Sequence, residues 1–365
     1  MKIEVDKDSF LKALQKVSNI ISGRTTLQIM SNIKLVAVGD ELIVSAADYE
    51  LFITTRLKVE VEREGETTIP GKRLTNLVSK FIGESIVLDT DLNTHQTKIL
   101  CGTASFTLLG KETSDFPPLP EVMSTRNFEL PVSNLLRAFE KISYSVSLDD
   151  ARKVLHGVFC SIEDNMFNLV ATDGKRLAMV EQNLEGYNGD NGSCIIPLKS
   201  SNELKRLLVG QDSVKIEIGE SNIVFKTEES ILISNLIEGE FPDYKQVIPK
   251  SFEKEFKLNT KEFLSKLDLV SLALVDRSSH VYVKLVNNEL TFKAVSSTVG
   301  EGSDKMDIDF EYPEANISFN AGFLADPFRH TDADEVTFMM NTEATPIGID
   351  GGDGFLYIIM PMKNK

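Results

Sequence analysis

No tryptophan occurs in the 365 residues, and there are only three cysteines and four histidines. The missing tryptophan decides nothing. Cys101, Cys160 and Cys194 are odd in number and far apart, which excludes a disulfide framework and fits reduced thiols in a cytosol. The histidines do not cluster, so no metal site or His-based active site emerges from them. No apolar run approaches the ~18 residues of a membrane span. The opening MKIEVD alternates apolar and polar residues, which predicts a strand rather than a secretory leader. Positive charge is scarce as well, with 39 Lys and Arg against 55 Asp and Glu and a formal net charge of −16. That average argues against a nucleic-acid partner, but a localised basic surface can bind phosphate on an acidic protein. What remains is a soluble globular composition, 42% hydrophobic and 26% charged, with length for two or three domains.

The chain repeats itself at a domain-sized interval. "TTIPGKRLTNLVSK" and "SCIIPLKSSNELKRLL" each read as a short strand, a proline and a basic amphipathic helix, and "ISFNAGFLADPF" fits the same slot. Pro70 and Pro197 mark the first two copies, and Asn320 holds the position in the third. "DSFLKAL", "VSNLLRAF" and "TKEFLSKL" form a second set; "AADYEL" answers "ATDGKRL", and "SDFPPLP" answers "GEFPDYKQVIP". Each match is weak, but all share a spacing near 125 residues, which chance similarities would not. This period predicts three α+β domains, 1–125, 126–251 and 252–365, each with two helices on one face of antiparallel sheet. Phe10, Leu11, Leu14 and Val17 predict the buried stripe of the first helix, with Asp6 as its N-cap. Leu74, Leu77, Val78 and Phe81 predict that of the second.

The six expected helices, 6–17, 71–80, 131–142, 197–208, 259–267 and 320–330, carry 14 basic and 6 acidic residues in a strongly acidic chain. Pro327 is expected to break the last. Since each helix buries one stripe, Lys12, Lys16, Lys72, Arg73, Lys80, Arg137, Lys141, Lys199, Lys205 and Arg206 are expected on exposed faces. Solvated helix faces explain any single helix. A bias across corresponding helices points instead to a shared surface facing a polyanion. Six helices about 9 Å apart leave too small a ring for a duplex roughly 20 Å across. Twelve leave a hole of about 24 Å once helix thickness is removed. Two chains joined head to tail through identical interfaces would therefore suffice.

"SGRTTLQIMSN", "ATDGKRLAMV", "GEFPDYKQVIPK" and "IIMPM", in this order and spacing, resemble the bacterial DNA polymerase III beta subunit family, the sliding clamps, over the whole chain. The resemblance implies a DNA clamp fold of three similar domains, closed as a head-to-tail dimeric ring with helices inside and sheets outside. The function it implies is to encircle double-stranded DNA without sequence specificity and to tether the replicative polymerase in the cytoplasm. DNA contacts are implied at Arg24, Lys72, Arg73, Arg152 and Lys199, with Lys12, Lys80, Arg137, Lys205 and Arg206 in support. Phosphate contacts carry no sequence information, which suits a clamp that must not stop on any sequence.

"ATDGKRLAM", "FPDY" and "IIMPM" taken alone read as turn or core, although Met-rich surfaces also adapt to several ligands. The resemblance implies a hydrophobic pocket that binds linear peptides of the polymerase III alpha subunit, the clamp loader, other polymerases and mismatch-repair proteins. It would use Leu155, Thr172, Gly174, Lys175, Arg176, Leu177, Pro242, Val247, Asn320, Phe323, Pro346, Met360, Pro361 and Met362. Three departures stand out: Lys175 where the family often has His, Pro327 within the last helix, and a tail running on through Lys363, Asn364 and Lys365. For the homodimer joint the resemblance implies an edge strand at Phe106, Thr107 and Leu108 and apolar packing at Leu272 on a helix.

Enzyme readings find little footing. "SFLK" matches S-x-x-K but reads as an amphipathic helix. His156 and Cys160 lie in a strand-like run where their spacing does not converge on a metal. "DGGDG" lacks both EF-hand spacing and the P-loop Lys, and reads as a hairpin turn. The chain is thus expected to be non-catalytic, with no cofactor, metal or membrane partner. A hydrolase or transferase would show catalytic residues breaking the repeat symmetry in one unit. A monomeric peptide-binding scaffold that never encircles DNA is the other alternative, and sedimentation separates it from a clamp.

Overall fold

The computed structural model describes residues 1–21, 27–149, 151–276 and 279–362. Each third of the chain runs through one order: a strand, a helix, four or five strands, a second helix and three strands. The helices are α1 (Lys7–Ser18), α2 (Gly71–Lys80), α3 (Val132–Ile142), α4 (Leu198–Leu207), α5 (Thr260–Ser271) and α6 (Ala321–Arg329). All strand pairs are antiparallel among the described residues.

Two compact units result, Met1–Asn134 with Lys199–Leu236, and Leu135–Leu198 with Ile237–Lys365. The first unit holds an eight-stranded sheet in the order Arg126–Pro131, Ser213–Ile218, Asn222–Lys226, Ser230–Asn235, Leu51–Lys58, Glu41–Ala47, Asn32–Val38, Gly65–Pro70. Its five-stranded sheet runs Glu60–Arg63, Lys2–Asp6, Ser85–Thr90, Gln96–Cys101, Ala104–Leu109. In the second unit the eight strands run Gly192–Pro197, Gly157–Glu163, Met166–Thr172, Arg176–Asn183, Phe355–Ile359, Ile347–Asp350, Glu335–Met340, Lys254–Asn259. A four-stranded sheet, Gly300–Asp307, Glu289–Ser296, His280–Val286, Ala315–Asn320, completes it. Each long sheet joins four strands of one third to four of the next. Phe52 faces Ile233 at the first seam and Leu177 faces Ile358 at the second; these pairs obey the spacing read from the sequence.

Local chemistry explains the helices. Asp6 caps α1 as expected, its carboxylate accepting from the Ser9 amide at 2.8 Å. Phe10, Ala13, Leu14 and Val17 form the buried stripe. Leu11, expected there, sits at the margin, and Ala13 takes its place. Burial of Phe10, Leu14 and Val17 contributes about 1.5–3 kcal/mol each as an upper bound. α2 packs beside α1 and buries Leu74 and Val78, and Phe81 is buried just beyond its end.

Two further expectations fail. Pro327 does not break α6, which continues to Arg329. Proline leaves the carbonyl four residues back without its amide partner, and the Tyr357 hydroxyl donates to that carbonyl, Phe323 O, at 2.9 Å. Lys141 is not on an exposed face: it is 5% exposed, with its ammonium 5.7 Å from the centre of the Phe355 ring. The apolar face of α3 is broad, taking in Leu135, Ala138, Phe139 and Ile142, and the lysine stem runs along it. The DGGDG stretch forms a hairpin turn between Ile347–Asp350 and Phe355–Ile359, with positive φ at Gly352, Asp353 and Gly354.

Candidate nucleic-acid interface and apolar pocket

In the first unit, α1 and α2 turn their buried stripes inward and leave Lys12, Lys72, Arg73 and Lys80 exposed. No carboxylate among the described residues lies within 4 Å of any of these four charges. The cations on and around α4 are placed differently. Lys199 donates to Asp48 and has Glu50 at 3.9 Å. Arg206 pairs with Glu203 one helical turn back at 2.9 Å. Lys205 is half-exposed. On α1, Lys16 reaches Glu229 at 3.0 Å.

In the second unit, Arg137 is exposed on α3 and lies 3.7 Å from Asp332. Arg152 sits over a turn, donating to the Asp173 carbonyl at 3.1 Å and lying 3.6 Å from the Asp149 carboxylate. It therefore packs against one of the residues expected at the pocket. Gly174 in that turn has φ of +84°, a conformation that favours glycine, and a Cβ there would stand 2.8 Å from the Arg152 guanidinium. Arg24 lies outside the described residues.

The residues expected at the pocket come together in the second unit. Leu155 and Leu177 are buried in one cluster with Val170, Met179, Ile195, Phe241, Tyr244 and Ile358. Phe159 stacks on Phe241 with ring centres 4.7 Å apart. Around this floor stand Pro242, Val247 and Met360, all exposed, with Val247 closing the short helical turn Tyr244–Val247. Pro346 precedes strand Ile347–Asp350, whose Ile347 pairs with Ile359. Thr172 ties the rim, accepting from the Gly174 amide at 3.1 Å and donating to the Arg176 carbonyl at 2.6 Å. The Met360 amide donates to the Lys175 carbonyl at 3.0 Å. Beyond half-buried Pro361, the Met362 amide donates to Ser318 O at 2.7 Å, bridging to the strand that ends at Asn320. Asn320 caps α6, its side chain accepting from the Phe323 amide at 3.0 Å.

Arg176 is the most constrained of the set. Its side chain is 10% exposed, pairs with Asp173 at 3.1 Å and with Asp326, and donates to the Tyr144 carbonyl at 2.6 Å. The guanidinium lies 4.1 Å from the Phe323 ring centre. Burial works against its charge, yet Tyr357, Asp326 and Asp173 leave its pKa above the ordinary value. Burial also pushes the Tyr144 phenol well up. With its donors already engaged, Arg176 is a strut beneath Phe323. Sequence reasoning missed Asp326 and Tyr144 here, and Asp48 beside Lys199. Asp48 left one trace, its alignment with Asp173 in the repeated "AADYEL" and "ATDGKRL".

Each unit also carries an exposed sheet edge. In the first it is Ala104–Leu109, with Phe106, Thr107 and Leu109 exposed, Leu108 half-buried, and the Phe106 and Phe81 ring centres 6.0 Å apart. In the second it is Gly300–Asp307, overlain by the end of α5, where Leu269, Leu272 and Val275 are exposed. Leu272 directly follows α5. Gly302 lies close beneath, a Cβ there standing 3.3 Å from Ala273.

No helix among the described residues is long and apolar enough to cross a membrane, and no group of three or more potential metal ligands occurs among them. The family models for the DNA polymerase III beta subunit match nearly the whole chain: the N-terminal domain at residues 1–120, the central domain at 129–243 and the C-terminal domain at 245–363. The beta sliding clamp of Chlamydia pneumoniae is 27% identical over 363 residues, covering 100% of this chain and 99% of that protein. That of Escherichia coli K12 is 27% identical over 367 residues, with both chains fully covered. Among solved structures, the sliding clamp of Bacillus subtilis superposes with a TM-score of 0.95 at 26% identity over the full length of both chains. A Pseudomonas aeruginosa clamp bound to griselimycin gives the same TM-score, identity and coverage. The long antiparallel sheets, the two helices in each third and this end-to-end match agree: the chain belongs to the DNA polymerase III beta subunit family, the non-catalytic sliding clamps of DNA replication.

Proposed function

We propose that two copies of this chain join head to tail into a closed ring that encircles duplex DNA and tethers the replicative polymerase in the cytoplasm. The domains are 1–125, 126–251 and 252–365, with their helices facing the passage. The observation that carries this reading is the cationic face of α1 and α2, where no carboxylate among the described residues lies within 4 Å of the charges of Lys12, Lys72, Arg73 and Lys80 on a chain of net charge −16. Such a face holds phosphate without reading sequence. Arg24, Arg137, Arg152, Lys199, Lys205 and Arg206 supplement it.

The joint pairs the Phe106–Leu108 edge of one copy with the Gly300–Asp307 edge of the other, covering Leu272 and its exposed neighbours. Unpaired edges flanked by apolar side chains favour such augmentation. The apolar floor of Leu155 and Leu177, rimmed by Pro242, Val247, Met360 and Met362, takes linear peptides. These come from the polymerase III alpha subunit, the clamp loader, other polymerases and mismatch-repair proteins. Gly174, Lys175, Thr172, Asn320, Phe323, Pro346 and Pro361 shape the rim, and Arg176 supports it from below.

Retention on DNA tests the ring. Loaded onto a closed circular duplex, the protein should stay bound in high salt and be lost on linearisation, because a topological link outlasts counterion-driven contacts. Equal release from circular and linear DNA at high salt would overturn the reading.

A further inference from the structure

Lys199 is poised at the start of α4 but is already held. Asp48 is the holder: its side chain is 9% exposed, against 46% for Lys199. The carboxylate is fixed by its own turn, one oxygen accepting from the Glu50 and Leu51 amides at 2.8 and 2.7 Å. Its other oxygen takes the Lys199 ammonium, and Glu50 adds a second negative charge at 3.9 Å. A phosphate approaching Lys199 must compete with this carboxylate, which its turn holds in place. Among the described residues, no carboxylate lies within 4 Å of Lys72, Arg73 or Lys80 on α2.

We infer that Asp48 is a built-in competitor for phosphate: it neutralises Lys199 and holds the grip of this unit on duplex DNA below what its cations would provide. The inference rests on the duplex-binding reading above. Its consequence is functional. A ring that must slide gains from weak, few phosphate contacts, and the chain achieves this by masking a cation rather than by lacking one. Lys12, Lys72, Arg73 and Lys80 set most of the strength of binding, and Lys199 contributes in full only when its carboxylate partner is removed.

Asp48→Asn is a clean probe because the amide keeps the oxygen that caps the turn and removes the charge facing Lys199. The full-length protein is titrated against a short fluorescent duplex of mixed sequence, across a range of salt concentrations. Asp48→Asn should tighten binding several-fold at low salt and steepen the dependence of log K on log salt by about 0.9, the value of one added phosphate contact. Lys199→Gln alone should change affinity and slope far less than Lys72→Ala does. Combining it with Asp48→Asn should abolish the gain, which separates unmasking of Lys199 from a general change of net charge. Lys72→Ala should weaken binding in every background. If Lys72→Ala weakens binding but Asp48→Asn changes neither affinity nor slope, masking by Asp48 is wrong. Masking is equally wrong if Lys199→Gln alone weakens binding as much as Lys72→Ala does. If no variant, Lys72→Ala included, alters binding, the duplex-binding reading itself fails.

Discussion

The turns at Asp48 and Asp173 occupy the same place in the two long sheets, yet they are wired differently. Each aspartate uses one oxygen to accept from the amides two and three residues ahead. In the first unit the other oxygen holds Lys199, a half-exposed lysine on α4. In the second it holds Arg176 of the following strand, whose guanidinium also grips Asp326 on α6 and lies nearly buried. The apolar clusters beneath differ as well. Phe52 packs edge-on to Phe116 at 6.3 Å in the first, where the second has Leu177 in the position of Phe52. A shared turn thus holds a lysine of a helix in one place and an arginine beside an apolar cluster in the other. Repetition fixes the backbone, and a few side chains assign the use.

The sharpest way to break this comparison is to remove the cation from each turn. Arg176→Met should lower the stability of the second unit by about 3 kcal/mol, the low end for losing one partner of a buried ion pair. Lys199→Met should cost less than about 1 kcal/mol, as exposed pairs do. Both are read as shifts in the denaturant midpoint, and equal losses would erase the distinction. Leu177→Phe places the ring of the first cluster in the second. It should weaken binding of an alpha-subunit peptide by about tenfold, or 1.4 kcal/mol, as measured by fluorescence anisotropy. Met362→Ala should weaken the same peptide by about fivefold, for one lost apolar contact, while sedimentation still reports a dimer; unchanged affinity would place the pocket elsewhere.

The smallest expected effect concerns pH and sharpens the account of the first unit. The Thr113 hydroxyl holds the Glu66 carboxyl below its ordinary value, against burial and with help from Lys34. A depressed carboxyl stabilises the fold above its unfolded pKa, and that contribution is lost as pH falls through the folded value. Glu66→Gln should therefore flatten the acid side of the stability profile below the ordinary value of 4.5, with little change in shape above it.

Much of this was legible in the sequence because the repeat carries its own alignment. The 125-residue offset aligned the helices and the Asp48 and Asp173 turns, while helical spacing and cap preference located Asp6 and most of the first stripe. The grouping of Leu155 and Leu177 in one buried cluster was reachable only through the family resemblance, since their spacing along the chain is too wide for periodicity to reveal. Three features escaped. Pro327 reads as a break because a local rule cannot see a hydroxyl arriving from Tyr357. Lys141 reads as exposed because charge suggests solvent, whereas its stem fits a broad apolar face. The holding of Lys199 by Asp48 spans 151 positions, beyond any pattern in a single helix. In each case a contact distant in sequence overrides a local preference.

Direct imaging of the assembled particle bears on the central claim more squarely than any variant. The account predicts a closed ring of two 40.6 kDa copies around a passage of about 24 Å, wide enough for a duplex of roughly 20 Å, with Lys12, Lys72, Arg73 and Lys80 facing inward. Single copies, open arcs, or a ring with those four side chains on its outer rim would contradict it.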